Sequence, residues 1–300
     1  MSLLAAALLS FAAAEPAAGV AAVDAAELAP VTGLAEAMGW NDPYPPFTIF
    51  ANVHYVGTRT ISAWLITGIK GHILIDGAVP QSAPQIARNI ETLGYRLKDV
   101  RYLLNSHAHI DHAGGLAGLK LRTGALMVAS AGDAPFLEAG DIGHGPSKGM
   151  IFPPVKVDRI INDGQTVRVG DTVLTAHLTP GHSPGCTSWS MDARGKDGIV
   201  RRVFFHCSAT VAGQSLIPEA YPGMVKNFRA LFPRVRAQKA DIFLANHDSF
   251  FDLHAKRKRL ESGDANAFVD PAELGRFNVA MEKAFFEELA RQQSGQGGPF

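Results

Sequence analysis

The chain has 300 residues, 47% of them apolar and 19% charged, which is enough for one large domain with a buried core or for two modest ones. Its 28 Lys and Arg balance its 28 Asp and Glu. No overall field therefore gathers nucleic acid or an anionic membrane, and a small neutral or zwitterionic partner fits better.

Met1 to Ala14 is an apolar Leu/Ala run that closes on Ala12, Ala13 and Ala14 ahead of Glu15 and Pro16. It lacks a basic residue at its start, yet reads as a signal peptide with a small-residue cleavage region, so export is expected. The run is too short to span a bilayer, and no other stretch of about 18 uncharged apolar residues occurs, so the mature form is expected to have no membrane partner. Residues 15–38, rich in Ala, Glu and Pro, read as an arm; one domain is expected over 39–292, then a flexible tail over 293–300.

From Trp40 the chain alternates. Val53 to Val56, Ala63 to Thr67 and Gly71 to Asp76 read as strands, and Ser82 to Leu93 as a helix with Ile86, Ile90 and Leu93 at three-to-four spacing. Arg101 to Asn105, led in by Val100, is another strand; a histidine-rich turn follows, then a helix from near Asp111 to Gly124 and a strand over Ala125 to Ala129. Gly140 to Pro154 is a long Gly/Pro loop carrying His144 and Met150, placed to fold over a site as a lid. Strands are expected at Arg159 to Ile161, Thr166 to Val169, Thr172 to Leu178, Thr187 to Met191, Val200 to Phe205 and Asp241 to Ala245. Helices are expected at Pro222 to Arg236 and, capped by Asp270, from Pro271 to about Gln292. Strand runs with helices outside them indicate an α/β fold of sheets stacked face to face.

Ser106-His107-Ala108-His109-Ile110-Asp111-His112 places four potential metal ligands in six residues, directly after a buried strand. In an extended turn His107 and His109 point the same way, whereas Asp111 and His112 at the helix mouth point to a second position, so two metals are the natural reading. His182, in Thr179-Pro180-Gly181-His182-Ser183-Pro184-Gly185, and His247, in Leu244-Ala245-Asn246-His247-Asp248, each lie just beyond a strand end, where such a site would recruit them. The histidines His54, His72, His177 and His254 read as core or surface residues, and His206 as a neighbour of the site. Lys256-Arg257-Lys258-Arg259 reads as a solvated helix face. Cys186 and Cys207 read first as small buried thiols, with a disulfide as the alternative in an exported protein.

Taken in order, these segments resemble the metallo-β-lactamase superfamily. Asn52 to Thr58, Gly71 to Gly77, Thr179 to Trp189 and Ser249 to Leu253 resemble, more closely, the third subclass of its class B β-lactamases (B3). The similarity runs from about Trp40 to Phe285. It implies an αβ/βα sandwich of two stacked mixed sheets with helices on the outer faces. It implies two Zn2+ ions, one held by His107, His109 and His182, the other by Asp111, His112 and His247, with a hydroxide between them. Ser208 stands where other subclasses place a cysteine ligand, and Cys207, by strand alternation, is expected to face away. Ser208 and Thr210 would bind the substrate carboxylate.

Zinc on neutral imidazoles lowers the pKa of its water from 15.7 toward roughly 7, so no protein nucleophile is required. One ion polarises the carbonyl and the other receives charge on the departing ring nitrogen, while Asp111 both ligates and accepts a hydrogen bond. The implied activity is hydrolysis of the β-lactam amide by a monomer in the periplasm. The rival is a lactonase or thioesterase of the same superfamily. Those relatives carry an aspartate bridging the metals on the strand that here reads Phe205-His206-Cys207-Ser208.

Overall fold

The computed structural model describes residues 33 and 35–295; the expected leader, most of the arm and the end of the tail lie outside the described residues. Phe47–Phe50 (β1), Val53–Tyr55 (β2), Trp64–Ile66 (β3), His72–Ile75 (β4), Val100–Leu104 (β5), Leu126–Ser130 (β6) and Arg159–Ile161 (β7) form one sheet in sequence order. Its pairings are antiparallel up to β4 and parallel from there to β7. Thr166–Val169 (β8), Thr172–Leu178 (β9), Thr187–Arg194 (β10), Val200–His206 (β11) and Ile242–Ala245 (β12) form the second, in the order β12-β11-β10-β9-β8. There only β11 and β12 run parallel.

The helices are Ala83–Thr92 (α1), Ile110–Ala113 (α2), Leu116–Thr123 (α3), Ala134–Ala139 (α4), Met224–Arg236 (α5), Leu253–Glu261 (α6) and Glu273–Gln293 (α7). Strand alternation sorts the core into layers. In β4, Ile73 and Ile75 pack with Leu174, Trp189 and Met191 of the second sheet, while Leu74 between them packs with Ile86 and Ile90 of α1 and Leu119 of α3. The far side of the second sheet is covered by Phe228 and Phe232 of α5 and Phe285 of α7. The result is the expected sandwich of two mixed sheets between helical layers. Each fully buried Leu, Ile or Phe contributes about 1.5–3 kcal/mol to holding it. Among the described residues no helix is long and apolar enough to cross a membrane.

Four local expectations are corrected. The single helix expected from Asp111 to Gly124 is two, broken at Gly114 and Gly115. A Cβ on Gly115 would lie 2.1 Å from the Gly77 carbonyl oxygen and one on Gly114 2.4 Å from Pro80. This close approach also lets the Gly77 N–H donate to the His112 carbonyl at 2.8 Å. The last helix begins at Glu273, not Pro271, and Asp270 accepts from the Ala272 N–H at 3.0 Å while pairing with Arg276. Strand β1 and helix α4, both short, fall where no element was expected. Lys256 is not on a solvated face: it is 8% exposed, its ammonium bound to both carboxylate oxygens of Glu273 at 2.5–2.6 Å and seated against Phe251 and Phe268.

Candidate metal centre

The turn after β5, the loop between β9 and β10 and the segment after β12 meet at one edge of the sandwich. They bring together all six residues read as ligands. His109 Nδ1 lies 2.9 Å from His182 Nε2. The buried Nε2 of His107 has no hydrogen-bond partner, and the donor atoms of His107, His109 and His182 lie within 4.8 Å of one another. Beside this triad, His112 Nε2 stands 3.2 Å from His247 Nε2 and 3.2 Å from Asp111 Oδ2, with His247 Nε2 3.5 Å from the same oxygen. The His107 and His112 rings are 4.5 Å apart, so the two triads adjoin.

These separations fit a metal. Donors about 2.0–2.1 Å from a tetrahedral zinc lie roughly 3.4 Å from each other. Burial pushes His182 and His247 down to about 4, and His107 and His109 well below the usual imidazole range, so these rings are neutral near pH 7 and offer lone pairs. Burial would lower His112 as well, but the carboxylates of Asp111 and Asp76 outweigh it and raise its pKa. Burial opposes ionisation of Asp111, yet His112, His247 and His109 hold its carboxyl far below the usual range.

Groups behind the triads select which nitrogen faces in. His182 Nδ1 donates to the Thr210 carbonyl at 2.8 Å, turning Nε2 inward. The loop that carries it is held by Gln214 Nε2 on the His182 carbonyl at 2.8 Å and the Tyr221 hydroxyl on the Gly181 carbonyl at 2.7 Å. His107 Nδ1 lies 3.1 Å from Ser106 Oγ. Asp76, at the end of β4, accepts from the Ser106 N–H at 2.6 Å and stands 3.9 Å from His112 Nδ1; burial pushes its carboxyl up to about 6. None of Asp76, Gln214 and Tyr221 was singled out by sequence, and only Asp76, closing the run Gly-His-Ile-Leu-Ile-Asp, left a signal there.

Ser208 and Thr210 lie just past β11 beside His182. Ser208 Oγ is 3.2 Å from Thr210 Oγ1, which is 3.3 Å from His182 Nδ1, and Ser208 is buried. Cys186 and Cys207 are not free thiols but a disulfide, Cα to Cα 5.8 Å. The Cys207 sulfur lies 3.7 Å from His107 Nδ1, on the side of the ring opposite the unpartnered Nε2. With both sulfurs bonded to each other, neither offers a thiolate ligand.

His206 packs among Phe204, Phe243 and Phe277, and burial pushes it down to about 3. His54 is satisfied by Thr48 and Thr67, His177 by Ser190 and His254 by Asp248. On the long loop, His144 lies between the rings of Phe136 and Tyr221, and Ile142 and Phe152 are buried, so that loop packs onto the His182 side of the centre.

An αβ/βα sandwich with a histidine-rich double triad at one edge defines a class of metal-dependent hydrolases. Residues 56–195 match the model of the metallo-β-lactamase superfamily. The chain is 43% identical to a Cronobacter sakazakii metallo-β-lactamase with a HARLDQ motif, covering 87% of this chain and 99% of that one at a TM-score of 0.80. It is 41% identical to a subclass B3 metallo-β-lactamase of Bradyrhizobium japonicum, covering 86% and 98%, TM-score 0.80. The chain therefore belongs to the metallo-β-lactamase superfamily, beside its subclass B3 enzymes, and is a hydrolase of that type.

Several curated relatives match over a shorter span, about a third of their own length. A hydroxyacylglutathione hydrolase of Methylobacterium nodulans is 36% identical over 104 residues, 35% of this chain and 32% of that protein. Where the Cronobacter motif has Arg and Gln, this chain has His109 and His112, so its double triad rests on its own residues.

Proposed function

We propose that this protein hydrolyses the amide bond of β-lactam antibiotics with two zinc ions, one held by His107, His109 and His182 and the other by Asp111, His112 and His247. The observation that carries this reading is the pair of adjoining triads, with four donor separations of 2.9–3.5 Å and the His107 donor within 4.8 Å of its partners, built on a chain 41% identical to a subclass B3 enzyme. When bound, such ions supply Lewis acidity and make water ionise near neutral pH.

The chain's residues supply the rest. The neutral imidazoles of His107, His109, His182 and His247 offer lone pairs without first losing protons. Asp111 presents Oδ2 to the second triad, leaving Oδ1 free to accept a hydrogen bond from a water or hydroxide at the centre. Thr210 acts through its carbonyl on His182, and its hydroxyl and that of Ser208 form the polar wall for the substrate carboxylate. No carboxylate stands at positions 205–210, where lactonase and thioesterase relatives would place a bridging one. We further propose export to the periplasm as a monomer; the Cys186–Cys207 disulfide suits an oxidising compartment.

Purified protein is assayed on nitrocefin and a carbapenem, with and without a chelator, beside a lactone and a glutathione thioester. Chelator-sensitive lactam turnover is expected. Turnover confined to the last two substrates overturns the proposal.

A further inference from the structure

Asp133, in the turn between β6 and α4, takes no part in binding or chemistry as derived above, yet it is fully buried and bonded to neighbours of His107 and His182 in sequence. Asn105 Nδ2 donates to its Oδ2 at 3.1 Å and Ser183 Oγ donates to its Oδ1 at 3.3 Å. Asn105 lies two residues before His107, whereas Ser183 follows His182 on the other loop. One carboxyl group thus takes a donor from each of the segments that must meet to form the triad, one on each of its oxygens; a carboxylate can serve both because it is an acceptor only.

The backbones around it are in contact. A Cβ on Gly185 would lie 2.4 Å from Asp133 Cγ, and one on Gly132 2.7 Å from the Pro184 carbonyl oxygen. Ser130 Oγ, one turn earlier, donates to the Gly185 carbonyl at 2.7 Å. No Lys, Arg or His pairs with Asp133 among the described residues; burial pushes its carboxyl up to about 7, and the Ser183 and Asn105 hydrogen bonds are what favour the ionised form there. Its neighbours explain why an acceptor is needed there; the triad explains what their alignment achieves.

We propose that Asp133 is a positioning residue of the metal centre, an acceptor shared by both segments that sets the His182 loop against the His107–His109 turn. The proposal rests on reading the triads as a metal centre. An amide at this position keeps the shape but turns one acceptor into a donor facing donors, which pushes one loop off the other. The second triad, reached through Asp76 and the segment after β12, does not depend on it.

The test is zinc titration against a competing chelator, for the unaltered protein, Asp133→Asn and the milder Ser183→Ala, with absorption spectra of the cobalt(II)-loaded forms and melting of the metal-free forms. One of the two binding steps is expected to weaken by about 10–100-fold in Asp133→Asn. In Ser183→Ala the same step weakens by less, with an unchanged metal-free melt; the cobalt d–d bands of that step shift and the other step stays. Unaltered affinities and spectra in both variants, or equal weakening of both steps in Ser183→Ala, overturn the proposal while leaving the metal centre intact. If Asp133→Asn does not fold, Ser183→Ala decides alone. An unaltered protein that takes up no zinc overturns the reading of the centre itself, and this proposal with it.

Discussion

Replacing His182 by Ala removes one of three protein donors from the first triad and leaves the Thr210 carbonyl without its 2.8 Å partner. Apparent zinc binding at a closed four-ligand protein site is worth about 10–16 kcal/mol, so one donor accounts for roughly 2.5–4 kcal/mol. That corresponds to about 10²–10³-fold in affinity. The second triad shares no donor with the first, so its affinity should change far less. The assay is competitive titration with a chromogenic chelator, followed by nitrocefin turnover at a zinc concentration that fills only the unaltered site. The expected result is one tight zinc per chain instead of two and loss of turnover at that concentration. Two tightly held zinc ions with normal turnover in His182→Ala would refute the convergence argument.

The remaining predictions concern stability. Burial depresses His206 to about 3 and His54 to about 4, below the unfolded value near 6.5, so the folded metal-free chain binds fewer protons than the unfolded one in acid. Stability is then undiminished above about pH 6.5 and lost progressively as pH falls toward those values, each ring costing roughly 2 kcal/mol at pH 5. Urea unfolding at pH 7 and pH 5 should show His206→Gln reducing that loss by about this amount, and an equal pH dependence in both proteins counts against it. Lys256→Met leaves the Glu273 carboxylate uncompensated in a largely buried place and should cost about 3 kcal/mol, with the double change Lys256→Met/Glu273→Leu recovering most of it by thermal melting. Opening the Cys186–Cys207 loop, 21 residues apart, with serines should cost about 3 kcal/mol in the chain-entropy picture, measured by the urea midpoint under non-reducing conditions.

Strands β7, β8 and β9 lie at the bounds expected for them, and most other elements differ by one to three residues. These are short segments whose apolar alternation or helical spacing is local. Strand β1 was not legible, because its four residues carry only one buried position. Helix α4, six residues after a Gly-Asp turn, is too short to display a period. The Gly114–Gly115 break was invisible for a different reason: the nearest atoms to a Cβ there belong to Pro80 and Gly77, more than 30 positions away.

The same division holds at the centre. The side chains that can offer a lone pair to a metal were decided by the chain's own order of residues: His107, His109, Asp111 and His112 are close because they are near neighbours, and His182 and His247 announce themselves as strand-end histidines. What only tertiary structure decided is which atoms meet. That Nε2 of His182 faces inward depends on a carbonyl 28 positions later, and that the two cysteines are joined depends on the antiparallel pairing that sets the start of β10 beside the end of β11. That Asp133 and Lys256 are buried among partners depends on loops and helices packed from elsewhere. Periodicity and spacing record interactions along a few residues of backbone, whereas orientation and pairing are set by contacts between segments that the sequence keeps far apart.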